Sequence, residues 1–102
     1  MKIDAAVIQD LYHYALAMQG NSDSAFPCET LLERLDASRS VQRTLERLDP
    51  EYWQEWDDVI PRTDRITSVD DLVNCGKSVQ ARAEQWCKRH GVNPSSGERI
   101  NL

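Results

Sequence analysis

Residues 67–91 read TSVDDLVNCGKSVQARAEQWCKRHG, and the start, body and stop of one long helix can all be found in them. Thr67-Ser68 followed by Asp71 reads as a capping box with Asp in place of Glu, and Asp70 and Asp71 suit the positive end of a helix. From Val69 to His90 the apolar positions Val69, Leu72, Val73, Cys75, Val79, Ala83, Trp86 and Cys87 fall within an arc of about 160° at helical spacing. Lys88, Arg89 and His90 complement the negative end, and Gly91 is placed to cap it. Gly76 sits on the apolar arc. A glycine in an exposed helix interior costs about 1 kcal/mol, so its placement predicts the close approach of another helix.

Outward from that helix the chain reads as helical nearly throughout, with no alternating strand pattern of useful length. Asp4 is placed as the N-cap of a first helix running to Met18, with Val7, Ile8, Leu11, Tyr12, Tyr14, Ala15 and Met18 on one broad face and Gln9, Asp10 and His13 on the other. GNSDS, residues 20–24, breaks it. Pro27 suits the first turn of a short second helix whose Leu31, Leu32 and Leu35 are expected to point inward. The helical phase then shifts at DASRS, which predicts a turn at residues 36–39 and a third helix from Ser40 to Leu48. Asp49-Pro50 opens a fourth, ended by Pro61. On it Tyr52, Trp53, Trp56, Val59 and Ile60 fit within about 120°, with the acids opposite, which predicts a packed aromatic side. Burying one tryptophan is worth up to about 5 kcal/mol gross, as much as the whole net stability of a small domain.

The fold expected is therefore all-α: a compact bundle of about five helices with a long C-terminal helix, formed by residues 1–91 and followed by a flexible tail over 92–102. A chain of 102 residues has room for one core, and its 40% apolar and 28% charged content is that of a globular domain. No apolar run is long enough to span a bilayer, and the acids in MKIDAAVIQD do not suit a secretion signal, so a cytoplasmic protein without membrane contact is expected. The broad apolar arcs of the first and last helices would exceed one small core, which makes a homodimer an expectation.

The chemistry-bearing residues are few. Cys28, Cys75 and Cys87 are odd in number and scattered, which suits buried thiols in a reducing compartment rather than a disulfide framework. Cys87 and His90 form a C-x-x-H pair without the second pair that a zinc site needs, so no metal and no cofactor are expected. His90 is accounted for by capping, and His13 is expected on the polar side of its helix. No phosphate-binding glycine loop or nucleophile elbow is present. A non-enzyme is expected.

Charge is uneven within the net −5. Residues 49–73 hold eight acids against Arg62 and Arg65, while residues 31–48 hold four arginines and three acids. The latter stretch, LLERLDASRSVQRTLERL, resembles the helix-turn-helix of bacterial repressors in its leucine-bounded first helix, its turn closing on Ser38 and its Arg/Gln-bearing second helix. The resemblance implies a DNA-binding regulator with Arg39, Gln42 and Arg43 facing the major groove, where Arg reads guanine and Gln adenine. The Leu35–Val41 spacing is one residue shorter than the usual pattern, and Asp36 stands at the customary turn glycine.

Read from the residues alone, Arg39, Arg43 and Arg47 recur every four positions as a ridge able to dock on an acidic protein surface. The expected function is a protein-binding module acting as regulator, inhibitor or adaptor. Its candidate partner-binding residues are Arg39, Gln42, Arg43 and Arg47, together with Asp57 and Asp58. These last two serve a further alternative, an acidic inhibitor that mimics nucleic acid.

Overall fold

The chain wraps around its first helix, α1 (Ala5–Met18), in a computed structural model that describes residues 1–100. Asp4 caps it as expected, its carboxylate accepting from the Val7 N–H at 2.9 Å, a contact worth about 1 kcal/mol. Ala15, Leu16, Ala17 and Met18 are all buried. Four consecutive residues point around the whole helix, so the last turn of α1 is covered on every side, while Ala6 and Asp10 nearer its start stay exposed.

The last helix, α4 (Val69–His90), covers one side and α2 (Leu31–Glu46) a second. Gly76 of α4 lies against α1: a Cβ there would sit 2.8 Å from the Ala15 carbonyl oxygen and 3.1 Å from Met18 Cβ. α4 comes against the α1 backbone and the Met18 and Gln19 side chains where it carries no side chain of its own, which is the close approach that the glycine predicts. α4 starts and stops where its capping residues stand. Ser68 Oγ accepts from the Asp71 N–H, Asp71 reaches back to the N–H and hydroxyl of Thr67, and Gly91 closes the helix at φ 64°.

The remaining sides of α1 are covered by irregular chain. His13, expected on the polar side, is buried between two such segments. Its Nδ1 accepts from the Ala25 N–H at 3.0 Å, and its Nε2 lies 2.7 Å from the Ser95 carbonyl. An amide can only donate and a carbonyl only accept, so these partners set the neutral ring with its proton on Nε2. Phe26 stacks on Tyr14 with ring centroids 4.2 Å apart. Residues 92–100, in the segment expected as a tail, turn back along α1: Val92 is buried, Asn93 N–H donates to Glu98 O at 2.7 Å and Ile100 N–H to Gly91 O at 2.8 Å. Residues 101–102 of that expected tail lie outside the described residues. Between them these segments hide the apolar surface of α1 that had seemed too large for one core.

α2 corrects the sequence reading. It runs unbroken through residues 36–39, so no turn forms there, the helix-turn-helix is not built, and the described residues contain four α-helices rather than about five. The helix opens at Leu31, later than Pro27 suggested, under a capping box: Thr30 Oγ1 accepts from Glu33 N–H and Glu33 Oε1 from Thr30 N–H. Its buried residues are Ala37, Ser38, Val41 and Leu45, with Leu48 just beyond. The inward face passes through two small side chains, and the leucines taken to mark it, Leu31 and Leu32, are 52% and 64% exposed.

Residues 50–59 form three short pieces in place of one helix: 3₁₀ turns at Pro50–Tyr52 and Asp57–Val59 flank the single α-turn α3 (Trp53–Trp56). The two tryptophans stand at the ends of that single α-turn and differ in burial. Trp56 is completely buried, whereas Trp53 stays half exposed with its Nε1–H donating to Leu48 O at 2.8 Å. No helix among the described residues is long and apolar enough to cross a membrane.

Candidate interaction surfaces

The three arginines of the ridge, Arg39, Arg43 and Arg47, are exposed, whereas Gln42, a candidate for the same surface, turns to another contact. It is half-buried and its Oε1 accepts from the Thr63 hydroxyl at 2.7 Å, fastening the turn Thr63–Arg65 to α2. Arg39 pairs with Asp36 on its own helix at 3.0 Å, both side chains being about half exposed or more. Among the described residues no carboxylate lies within 4 Å of Arg43 or Arg47. At helical spacing Leu32, Asp36, Arg39 and Arg43 fall within about 60° on the outer side of α2.

On the flank of that face, at its N-terminal end, is an apolar shelf. Leu31, Leu35, Ile66, Val69 and Leu72 line a groove of about 250 Å³ between the first turns of α2 and α4. Leu31 and Val69 are about half exposed, and Leu32 stands beside them at 64%. The leucines are legible as apolar but their direction is not, and taking all three as inward is what made a turn at 36–39 necessary. The Thr30-x-x-Glu33 capping box was the signal that could have placed them, since it fixes where the helix begins.

The acids of residues 55–58 are engaged within the molecule. Arg82 of α4 holds both Asp58 oxygens, at 3.0 and 2.6 Å, and also donates to the Glu55 carbonyl. Arg89 pairs with the Glu55 carboxylate, and Arg62 lies 3.9 Å from Asp57. Asp57 and Asp58 are both largely exposed, so solvent reaches them, but each has an arginine of its own chain beside it.

The thiols and imidazoles do not converge. Cys75 and Cys87 are each pushed up from the ordinary thiol range by burial, reinforced by Asp71 and Glu84 respectively, which keeps both protonated. Cys87 is buried, whereas His90 is exposed, stacked on Trp86 at 3.9 Å with its Nδ1 2.8 Å from the Trp86 carbonyl. Among the described residues no three His, Cys, Asp or Glu are grouped to hold a metal ion.

No protein-family model matches this chain, and the comparisons with curated proteins and with solved structures also return no match.

Proposed function

We propose that this chain is a protein-binding module, a cytoplasmic regulator, inhibitor or adaptor, that takes its partner on the outer face of α2. The observation that carries the reading is the alignment of Leu32, Arg39 and Arg43 on one exposed line, with the groove of Leu31, Leu35, Ile66 and Val69 on its flank. Among the described residues Leu31 and Leu32 stay more than half exposed and no carboxylate pairs with Arg43, whose side chain reaches only Ser40 Oγ.

The chemistry of that face defines its occupant: a protein surface with apolar side chains for the groove and carboxylates for the ridge. Leu31, Leu32 and Val69 are already partly hidden, so completing their burial gains about 1 kcal/mol each. Association costs at least about 4 kcal/mol in lost freedom, so the leucines alone do not suffice and the arginine pairs must contribute. Arginine and buried aliphatic anchors together are the usual makings of an interface centre.

The test is affinity capture from the native host with the full chain, against Leu32→Glu and the double variant Arg39→Glu/Arg43→Glu. A stoichiometric partner that is lost with both variants, while their thermal midpoints stay near that of the parent, supports the reading. A partner retained by both variants overturns it. Salt-sensitive binding of a DNA duplex that the double variant abolishes would also overturn it, moving the ridge to nucleic acid.

A further inference from the structure

We infer that the cleft between the 58–66 segment and α4 binds a small organic anion, a carboxylate or phosphate ester with an apolar body. This site is separate from the α2 face and does not depend on it. The cleft encloses about 360 Å³, within the range of small-molecule sites. Its apolar lining is Val59, Ile60 and Ile66, all half-buried. Arg62 and Arg65 enter from one side, and Asn74, Cys75 and Ser78 from α4 on the other.

Two acids also line it, and both are already engaged. Asp58 gives its two oxygens to Arg82, and Asp71 accepts from the N–H and hydroxyl of Thr67. The Ser78 hydroxyl donates to the Asn74 carbonyl at 3.2 Å. The side-chain groups left with hydrogen-bonding capacity are the donors of Arg62, Arg65 and Asn74, beside two acceptors, Asp71 Oδ1 and the Asn74 amide oxygen. Arg65 has no carboxylate within 4 Å among the described residues, Arg62 has only the loose contact to Asp57 at 3.9 Å, and the Asn74 amide makes no side-chain hydrogen bond.

Arg82 offsets Asp58 and Asp57 lies beside Arg62, which leaves Arg65 and Asp71 as the charges without a guanidinium or carboxylate partner. An anionic head meets the forked donors of Arg65 and Arg62, and its apolar body meets the aliphatic lining. The arginines are also held in place. Arg62 precedes and Arg65 ends the Thr63–Arg65 turn, whose backbone is closed by Arg65 N–H donating to Arg62 O at 2.8 Å and tied to α2 through Thr63 and Gln42. Less freedom is lost on binding when the donors stand on a fixed turn.

Cys75 lines the cleft and reports its occupancy, with Cys28 as an internal reference elsewhere in the chain. The experiment follows alkylation of each cysteine in the full chain by neutral iodoacetamide at mildly alkaline pH, where the raised Cys75 thiol still supplies thiolate, read by peptide mass spectrometry, with phenyl phosphate, hexanoate, inorganic phosphate or benzylamine present. Phenyl phosphate or hexanoate at millimolar concentration should slow Cys75 several-fold without affecting Cys28, and whichever protects better identifies the head group. The variant Arg62→Gln/Arg65→Gln, altered only at exposed side chains, should lose that protection. The inference is overturned if neither organic anion protects, if benzylamine or inorganic phosphate protects as well, or if protection survives in the double variant. Two-dimensional NMR shifts provide a second reading: they should cluster at residues 58–66 and 74–78, and shifts spread elsewhere would also overturn the assignment.

Discussion

The outer face of α2 and the segment from Asp49 to Ile60 are built from the same materials, large apolar side chains beside a run of charge, yet one is left open and the other is closed by the molecule itself. Of the segment's two tryptophans one is completely buried, and Glu55, Asp57 and Asp58 each face an arginine of the chain. On α2, Leu32 is 64% exposed and Arg43 has no carboxylate in reach among the described residues. Counting charges along the sequence treats both as candidate partner surfaces. The difference is whether another part of the same chain supplies the complement, and only the segment from Asp49 to Ile60 has it. The energies rank what holds that segment down. Exposed ion pairs contribute about 0–1 kcal/mol each, against up to about 5 kcal/mol gross for burying Trp56. The tryptophan seats the segment and the arginines align it.

The largest expected effect tests that ranking. Trp56→Ala should cost about 3–5 kcal/mol, while Leu32→Ala should fall within about 0.5 kcal/mol of the parent. For a domain of this size the first would lower Tm by more than about 10 °C. Urea unfolding of the two variants at low protein concentration measures both. A Leu32→Ala cost comparable to that of Trp56→Ala would mean that α2's outer face is already covered in solution, by a second copy, and the contrast between the two regions would disappear.

A smaller effect separates the charges. Arg82 contacts Asp58 through two hydrogen bonds and the Glu55 backbone through another, with its side chain 29% exposed. Arg82→Gln should cost about 1 kcal/mol and Arg43→Gln nothing measurable. Adding salt should narrow the gap, because screening acts on the paired arginine and there is no pair at Arg43 to screen. If the two variants lose equal stability, the segment's acids are as free as they look in the sequence, and the acidic-inhibitor reading regains its ground.

What could be read from the sequence follows from how local its cause is. The limits of α4 and the role of Gly76 were legible because caps and a packing glycine act through near neighbours. α2 was misread because its inward face uses Ala37 and Ser38, which carry almost no hydropathy signal, while three leucines nearby carry a strong one. Burial of Ser38 is set by tertiary contact, and its hydroxyl has no hydrogen-bond partner there, so nothing in the local pattern could mark it as core. His13 was placed outward for the same reason: its partners Ala25 and Ser95 lie 12 and 82 residues away in the chain. Asp57 and Asp58 were singled out correctly as exposed acids, but the arginines that hold them come from α4 and from the turn after Pro61, a pairing only the fold creates. Arg62 and Arg65 were counted as charges and not as a pair flanking a cleft, since the apolar floor beneath them is assembled from residues on both sides of Pro61.

The smallest effect concerns the caps that position the groove, which sits at the first turns of α2 and α4. The Asp71 carboxyl is held below the ordinary aspartate range, chiefly by the Thr67 backbone N–H and then by its hydroxyl. A carboxyl held low in the folded state stabilises it above the unfolded pKa, and that contribution fades as pH falls through the lower folded value. Asp71→Asn keeps an oxygen able to accept from Thr67 and removes only the charge. The variant should therefore be less stable than the parent near neutrality, by a small margin that closes as pH drops below about 4. Unfolding midpoints of both proteins across the acid range measure this. A margin that stays constant down to low pH would mean the charge is not what Thr67 holds, and the start of α4 would then rest on the Ser68 hydroxyl alone.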